Sequence, residues 1–170
     1  MTSSAGQNGP TRTLPLIREF YREKLAMMLL HQAHARLVGG YDANNTYQYV
    51  VNREDVQLSW LSQALVGLGA AESSPAEPPA GATPTATDPV RVLFEQDAGA
   101  ARAFVERWQP RVESMTDARH QGMLKVILGE TLEQQRFFEQ ALAGRTDLLG
   151  RRGDAAGPVQ GRVLAGRWIE

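Results

Sequence analysis

The chain has 170 residues, a formal net charge of −1 at pH 7 and no cysteine. Its length fits one ordinary domain, and its balanced charge provides no global field that would attract nucleic acid. The lack of cysteine excludes disulfides, thiolate zinc sites and iron–sulfur clusters, so any metal must be held by carboxylates, by the three histidines or by other oxygen and nitrogen groups.

The sequence shows no targeting or membrane segment. Residues 1–10 are polar and lack the basic start and apolar centre of a secretory signal. The longest stretch without charge, Val56 to Ala71, is interrupted by polar residues and is shorter than the ~20 apolar residues that span a bilayer. We therefore expect a soluble, cytoplasmic protein that interacts with neither membranes nor nucleic acid.

Start and stop signals divide the chain into four helical blocks. Proline or aspartate stands at each start, where a first-turn proline is harmless and a short carboxylate caps free N–H groups: Pro15, Asp42, Asp88-Pro89 and Asp117. Gly39-Gly40 and Gly144 mark ends, and Pro110 is expected to kink or divide the third block. The predicted blocks are Leu14–Val38, Asp42–Gly67, Asp88–Met115 and Thr116–Ala143.

Short turns within each pair of blocks predict two antiparallel helical hairpins. Between the hairpins, residues 72–88 are rich in proline, alanine, serine and threonine and are typical of an extended linker. Such a linker, at ~3.3 Å per residue, is long enough to cross over the length of a helix. We predict an all-α bundle over residues 13–144 with this crossover, an N-terminal disordered tail (1–12) and a C-terminal flexible tail (145–170); an up-down bundle is the alternative.

Helical spacing places polar residues where the core is expected. Glu54 lies in the middle of the apolar stripe of the second block, with Gln57 beside it. Glu130 lies on the stripe of the fourth block, with Glu133 at its border, and the first block contributes His31 and His34. A buried carboxylate is costly unless it is paired, protonated or bound to metal.

Two interpretations follow from these positions. Counting back across the first turn places Met28 and His31 nearly level with Glu54, so a contact between Glu54 and His31 is geometrically reasonable. The first interpretation is a buried polar cluster in which the side chains bond to one another. The second is a metal site whose ligands are Glu54, Glu130, Glu133 and His31, with Gln57 and His34 as supporting donors.

Two short motifs resemble ferritin-like, rubrerythrin-like proteins. Glu54-Asp-Val-Gln57, followed by Trp60-Leu61, is similar to their second helix, and Glu130-Thr-Leu-Glu133, followed by Phe137, is similar to their fourth helix. The resemblance implies a ferritin-like four-helix bundle, in which Glu-x-x-His motifs and two further glutamates hold two iron or manganese ions. Here Gln57 and Glu133 replace the histidines, and no glutamate stands level with Glu54 in the first block.

These departures lead us to expect a degenerate metal site without a cofactor and a non-catalytic binding or interaction module. The alternative is an iron- or manganese-dependent oxidoreductase, or an iron-handling protein, with an atypical carboxylate and histidine site. A second stripe on the outer side of the second block, Tyr49, Val56 and Trp60, is a candidate protein–protein surface. The family resemblance favours a homodimer through it; coverage by the linker or the C-terminal tail is the alternative.

The C-terminal tail ends in an apolar cluster that includes Trp168 and Ile169. We expect this cluster to dock on the bundle itself or on a partner, since such residues are unusual in a frayed terminus.

Overall fold

The computed structural model describes residues 10–70, 90–145 and 148–149, and these residues form four helices without any strand. In chain order the helices are α1 (Pro10–Ala35), α2 (Tyr41–Gly67), α3 (Val90–Glu113) and α4 (Ala118–Leu142). The prediction of an all-α, four-helix protein is therefore confirmed. Within the same residues, no helix combines the length and the apolar character needed to cross a membrane.

The starts of the helices agree with the cap signals in one case and differ in two. The Asp117 carboxylate accepts a hydrogen bond from the His120 backbone N–H and caps α4, as predicted. Gly40, and not Asp42, is the N-cap of α2, and Asp42 lies in the first turn, where a negative charge favours the helix dipole. Helix α1 starts at Pro10, so Pro15 lies inside the helix and the predicted tail, residues 1–12, overlaps its first turn.

Two further boundary predictions concern proline and glycine. Helix α3 continues through Pro110 to Glu113, so this proline does not divide the helix. Helix α4 ends at Leu142, and Gly144 follows with a φ of 86°. That left-handed conformation is easily adopted only by glycine, which explains why the helix stops there.

Contacts between helices define their directions. Helix α1 packs against α2 and α3, and α4 packs against α2 and α3. Glu19 pairs with Arg111 and His34 pairs with Asp97, so α1 and α3 are antiparallel. Tyr49 contacts Phe137, while Trp60 and Met123 line one groove, so α2 and α4 are antiparallel as well. Asn44 bonds to Ala35 and Glu54 pairs with Lys24, so α2 is antiparallel to α1 too. Helices α2 and α3 therefore run in the same direction, and α2 ends at the opposite end of the bundle from the start of α3.

Two apolar clusters fill the bundle, and buried polar side chains lie between them. One cluster is built around Phe20, Leu61, Phe104 and Trp108, toward the start of α1. The other surrounds Tyr47, toward the end of α1. Between them, along the four helices, lie fully or almost fully buried polar residues: Lys24, His31, His34, Glu54, Gln57, Asp97, Thr131 and Gln134. Burial of apolar surface explains the two clusters, but it does not explain why these polar side chains are buried in this layer.

Candidate functional site

Lys24 is the centre of the buried polar layer. Its side chain is fully buried, and its Nζ donates to Glu54 Oε1 at 2.9 Å, Thr131 Oγ1 at 3.3 Å and Gln134 Oε1 at 3.4 Å. The Nζ atom also lies 5.7 Å from the centroid of the Phe104 ring, within the range of a cation–π contact. An ammonium group has three donors, and here each has an acceptor. Three of the four helices hold these acceptors and the ring, while α1 supplies the cation.

Glu54 is fully buried, and both of its carboxylate oxygens are held. Oε1 accepts from Lys24, and Oε2 lies 2.9 Å from His31 Nδ1, which confirms the predicted contact between Glu54 and His31. Burial by itself raises the pKa of Glu54, but the neighbouring charges of His31 and Lys24 and their hydrogen bonds outweigh it and lower the pKa. The carboxylate is therefore ionised and satisfied inside the core.

His31 links Glu54 to a second buried carboxylate. Its Nε2 lies 3.7 Å from Asp97 Oδ1, on the opposite side of the ring from Glu54. Burial lowers the pKa of His31, but the charge and hydrogen bond of Glu54 and the charge of Asp97 outweigh that effect, and the pKa is raised. His31 thus directs Nδ1 at Glu54 and Nε2 toward Asp97, and only the contact with Glu54 is short enough for a hydrogen bond.

Asp97 on α3 is hydrogen-bonded to side chains of α1 and α2. Its Oδ2 lies 2.8 Å from His34 Nδ1 and also accepts a hydrogen bond from the Tyr47 hydroxyl. Burial, together with the charge of Asp97, raises the pKa of Tyr47, so the phenol keeps the proton that it donates. The rings of Phe94 and Phe138 pack against Tyr47 and shield this end of the layer.

Oppositely charged groups lie side by side in the layer. Lys24 and His31 lie beside the carboxylate of Glu54, His31 and His34 lie beside that of Asp97, and all five side chains are fully buried. Buried ions are tolerated only when they are paired and hydrogen-bonded, and the pair of Lys24 and Glu54 meets that condition. The layer is therefore a buried polar network that connects α1, α2 and α3, with α4 contributing neutral oxygens.

Two of the predicted ligands lie outside this network. The Glu130 carboxylate is hydrogen-bonded by Arg53 and, at 2.5 Å, by Gln57 Nε2, and its side chain is 23% exposed. Glu133 is exposed on α4. The structure therefore brings together Glu54 and His31, holds Glu130 at the edge of the core by an α2–α4 ion pair, and leaves Glu133 on the surface.

Of the two supporting donors predicted from the sequence, one bonds to a predicted ligand. Gln57 is buried and donates to Glu130, while His34 is buried and bonds to Asp97, which was not in the predicted set. Several buried polar atoms of the described residues have no hydrogen-bond partner, among them Nε2 of His31, Nε2 of His34 and Oδ1 of Asp97. Within the described ranges, however, no three histidine or acidic side chains converge as a group that would hold a metal ion.

These residues do not fit a pair of iron or manganese ions. Such a centre needs several anionic oxygens to balance at least four positive charges. The fully buried glutamate, Glu54, is already hydrogen-bonded to Lys24 and His31, and Glu130 is engaged by Arg53 and Gln57. In the part of the chain that the structure describes, the ammonium group of Lys24 occupies the place beside Glu54.

Lys24 and Asp97 were not among the residues singled out from the sequence. Both follow the inward spacing of their helices: Lys24 stands four residues after Phe20 and seven before His31, and Asp97 stands four residues before Ala101. This inward spacing is the feature of the sequence from which both residues could have been identified. A lysine or an aspartate within an apolar stripe is ordinarily read as a border residue whose charged end reaches water.

The outer stripe of α2 is only partly available to a partner. Val56 is 38% exposed and Tyr49 is 39% exposed, but the Tyr49 ring also packs against Phe137 of α4 at 5.8 Å between centroids. Trp60 is half-buried and packs against the first apolar cluster. The apolar end of the tail, Trp168 and Ile169, lies outside the described residues.

Comparisons with known proteins do not assign the fold or the site. No protein-family model matches the chain, and neither the curated proteins nor the solved structures provide a match.

Proposed function

We propose that this chain is a ferritin-like four-helix bundle that acts as a non-catalytic binding or interaction module, with a degenerate metal site. The helix directions support the scaffold, because a parallel α2 and α3 require a connection that runs the length of the bundle, as in ferritin-like folds. The motifs at Glu54 and Glu130 support the same assignment, since they stand on two helices that pack against each other, with Glu54 buried in the core and Glu130 at its edge.

The observation that carries the non-catalytic role is the state of Glu54. Both of its oxygens are bonded, one to the Lys24 ammonium and one to His31, inside a fully buried site. A metal cofactor needs carboxylate oxygens that are free to bind it, together with an open position for a substrate. An ammonium group has neither redox chemistry nor an empty coordination position. The oxidoreductase alternative would require Lys24 to leave its three acceptors.

Metal analysis of the purified protein tests this function. After expression in medium supplied with iron and manganese, and purification without chelator, we expect less than stoichiometric amounts of both metals. Neither Glu54→Ala nor Glu106→Ala, at an exposed glutamate on α3 that serves as the matched control, should change that result. Stoichiometric metal that is lost in Glu54→Ala and retained in Glu106→Ala would establish the metal-dependent alternative instead.

The interaction role also requires a surface, and we include the predicted homodimer through α2 in the proposal. Val56 is an exposed aliphatic member of the outer stripe, and a symmetric pair is the commonest assembly of soluble proteins. Substituting Val56 by lysine should convert the dimer to a monomer in light scattering coupled to gel filtration. Val126→Lys, at a 51% exposed valine of α4, is the control that should leave the mass unchanged. A monomeric wild-type protein would remove this part of the proposal.

A further inference from the structure

We propose that the centre of this bundle is a binding site for an ammonium cation, which Lys24 fills in the native protein and which accepts a small primary amine when that side chain is cut back. The inference rests on the proposed function in one respect, namely that the centre holds no metal. It goes further by assigning the chemical class of cation that the site selects.

The acceptors around Nζ have the number and placement that an ammonium group requires. Glu54 on α2 and Thr131 and Gln134 on α4 each direct one oxygen at Nζ, one for each N–H. The Thr131 hydroxyl donates its own proton to the Ile127 carbonyl at 2.9 Å, so its oxygen faces Lys24 with lone pairs only. The Thr131 hydroxyl is therefore held in one orientation, and the protein fixes all three acceptors of Nζ.

The distances are those of hydrogen bonds and not those of metal coordination. The three N···O separations lie between 2.9 and 3.4 Å. Small divalent cations bind oxygen at about 2.0–2.2 Å, so a metal at the position of Nζ would require the helices to move inward. The oxygens belong to side chains of α2 and α4, the two flanking apolar clusters hold these helices in place, and close-packed cores resist such movement.

Charge and the Phe104 ring favour a monovalent organic cation as well. One carboxylate, Glu54, faces the position, and His31 already shares it; the other two acceptors are neutral oxygens. A divalent ion would therefore remain uncompensated in a buried site. The Phe104 ring, 5.7 Å away, attracts a weakly hydrated cation through its π face.

Chemical rescue of Lys24→Ala tests this assignment. The substitution removes the ammonium and its entire stem beyond Cβ and leaves the acceptors in place. Thermal unfolding of the variant is followed by circular dichroism with methylammonium, tetramethylammonium or manganese as the chloride salt at matched ionic strength. Tetramethylammonium has the same charge but no N–H donor. We expect methylammonium alone to raise the midpoint, and each tenfold increase above its dissociation constant should lower the unfolding equilibrium constant about tenfold.

Two further variants identify the site of rescue. Lys24→Met fills the space without a charge, so methylammonium should give it no stabilisation. Adding Glu54→Gln to Lys24→Ala removes the anionic acceptor and should abolish the rescue. If Lys24→Ala does not fold alone, recovery of its helical signal with methylammonium, and not with tetramethylammonium, reports the same binding.

The inference is overturned if methylammonium and tetramethylammonium act alike, if the rescue survives Glu54→Gln, or if manganese stabilises Lys24→Ala more than methylammonium does. None of these results bears on the metal content of the wild-type protein, which is the measurement that tests the non-catalytic function. Failure of the cation assignment is therefore distinguishable from failure of the non-catalytic function.

Discussion

Replacing Lys24 by methionine should destabilise the protein far more than a lysine substitution usually does. Methionine is similar in length and creates no large cavity, so the change isolates the loss of the ammonium group. Glu54 Oε1, Thr131 Oγ1 and Gln134 Oε1 would each lose their donor while remaining buried. Removing one partner of a buried ion pair costs about 3–5 kcal/mol, because the other charge stays uncompensated.

That cost is a large share of the 5–15 kcal/mol by which a typical domain is stable, so the variant should show it clearly. The measurement is urea unfolding followed by circular dichroism, with the free energy of unfolding taken by linear extrapolation. Lys125→Met is the matched control, since Lys125 is exposed on α4 and, among the described residues, bonds to the side chain of Gln121 alone. We expect the control to change the free energy of unfolding by no more than about 0.5 kcal/mol.

A double-mutant cycle assigns the loss to the pair of Lys24 and Glu54. Glu54→Gln should be destabilising because it leaves the Lys24 cation with neutral acceptors. The double variant should lose less than the sum of the two single losses, with a coupling energy at the upper end of about 0.5–3 kcal/mol. Strictly additive losses, or a Lys24→Met variant as stable as Lys125→Met, would refute the ionic interpretation of this core.

Three further outcomes are expected. The free energy of unfolding should be greatest at intermediate pH. The pKa of Glu54 is lowered, so its contribution is lost as the pH falls through its folded-state pKa. The pKa of His31 is raised, so its contribution is lost as the pH rises through its folded-state pKa. His31→Gln should remove the alkaline decline in a pH series of urea unfolding curves, and persistence of the decline would count against it. Tyr47→Phe takes a buried donor from Asp97 and should cost about 1–3 kcal/mol in the same assay, whereas no loss would mean that Asp97 is satisfied without it. Asp117→Ala should cost about 1 kcal/mol through the lost cap of α4, and an unchanged unfolding midpoint would contradict that role.

Helical periodicity was sufficient to predict the four helices and one contact of the centre. The spacing of apolar residues placed Glu54 and His31 on facing stripes, and the turn between α1 and α2 is short enough that counting residues sets their relative height. Local signals also located the cap at Asp117 and the glycine that ends α4. Each of these features depends on residues close together in the chain.

Features that depend on distant helices were not predictable in the same way. Which side chain neutralises Glu54 depends on the rotation of α1 against α2 and α4, and the flexible stem of Lys24 reaches the centre from a position that also permits exposure. Likewise, Glu130 lies on the inward stripe of α4, yet Arg53 on the neighbouring helix pairs with it at the edge of the core. For both glutamates, the partner is a side chain on another helix, and that pairing determines where the carboxylate is held.

The central claim is that the cation facing Glu54 is the Lys24 ammonium group and not a metal. Crystals of protein expressed with iron and manganese, measured at the absorption edges of both metals, test it most directly. We predict no anomalous peak near Glu54 and a Lys24 Nζ within hydrogen-bond distance of its carboxylate. An anomalous peak bound by Glu54, with Lys24 turned away, would contradict the account.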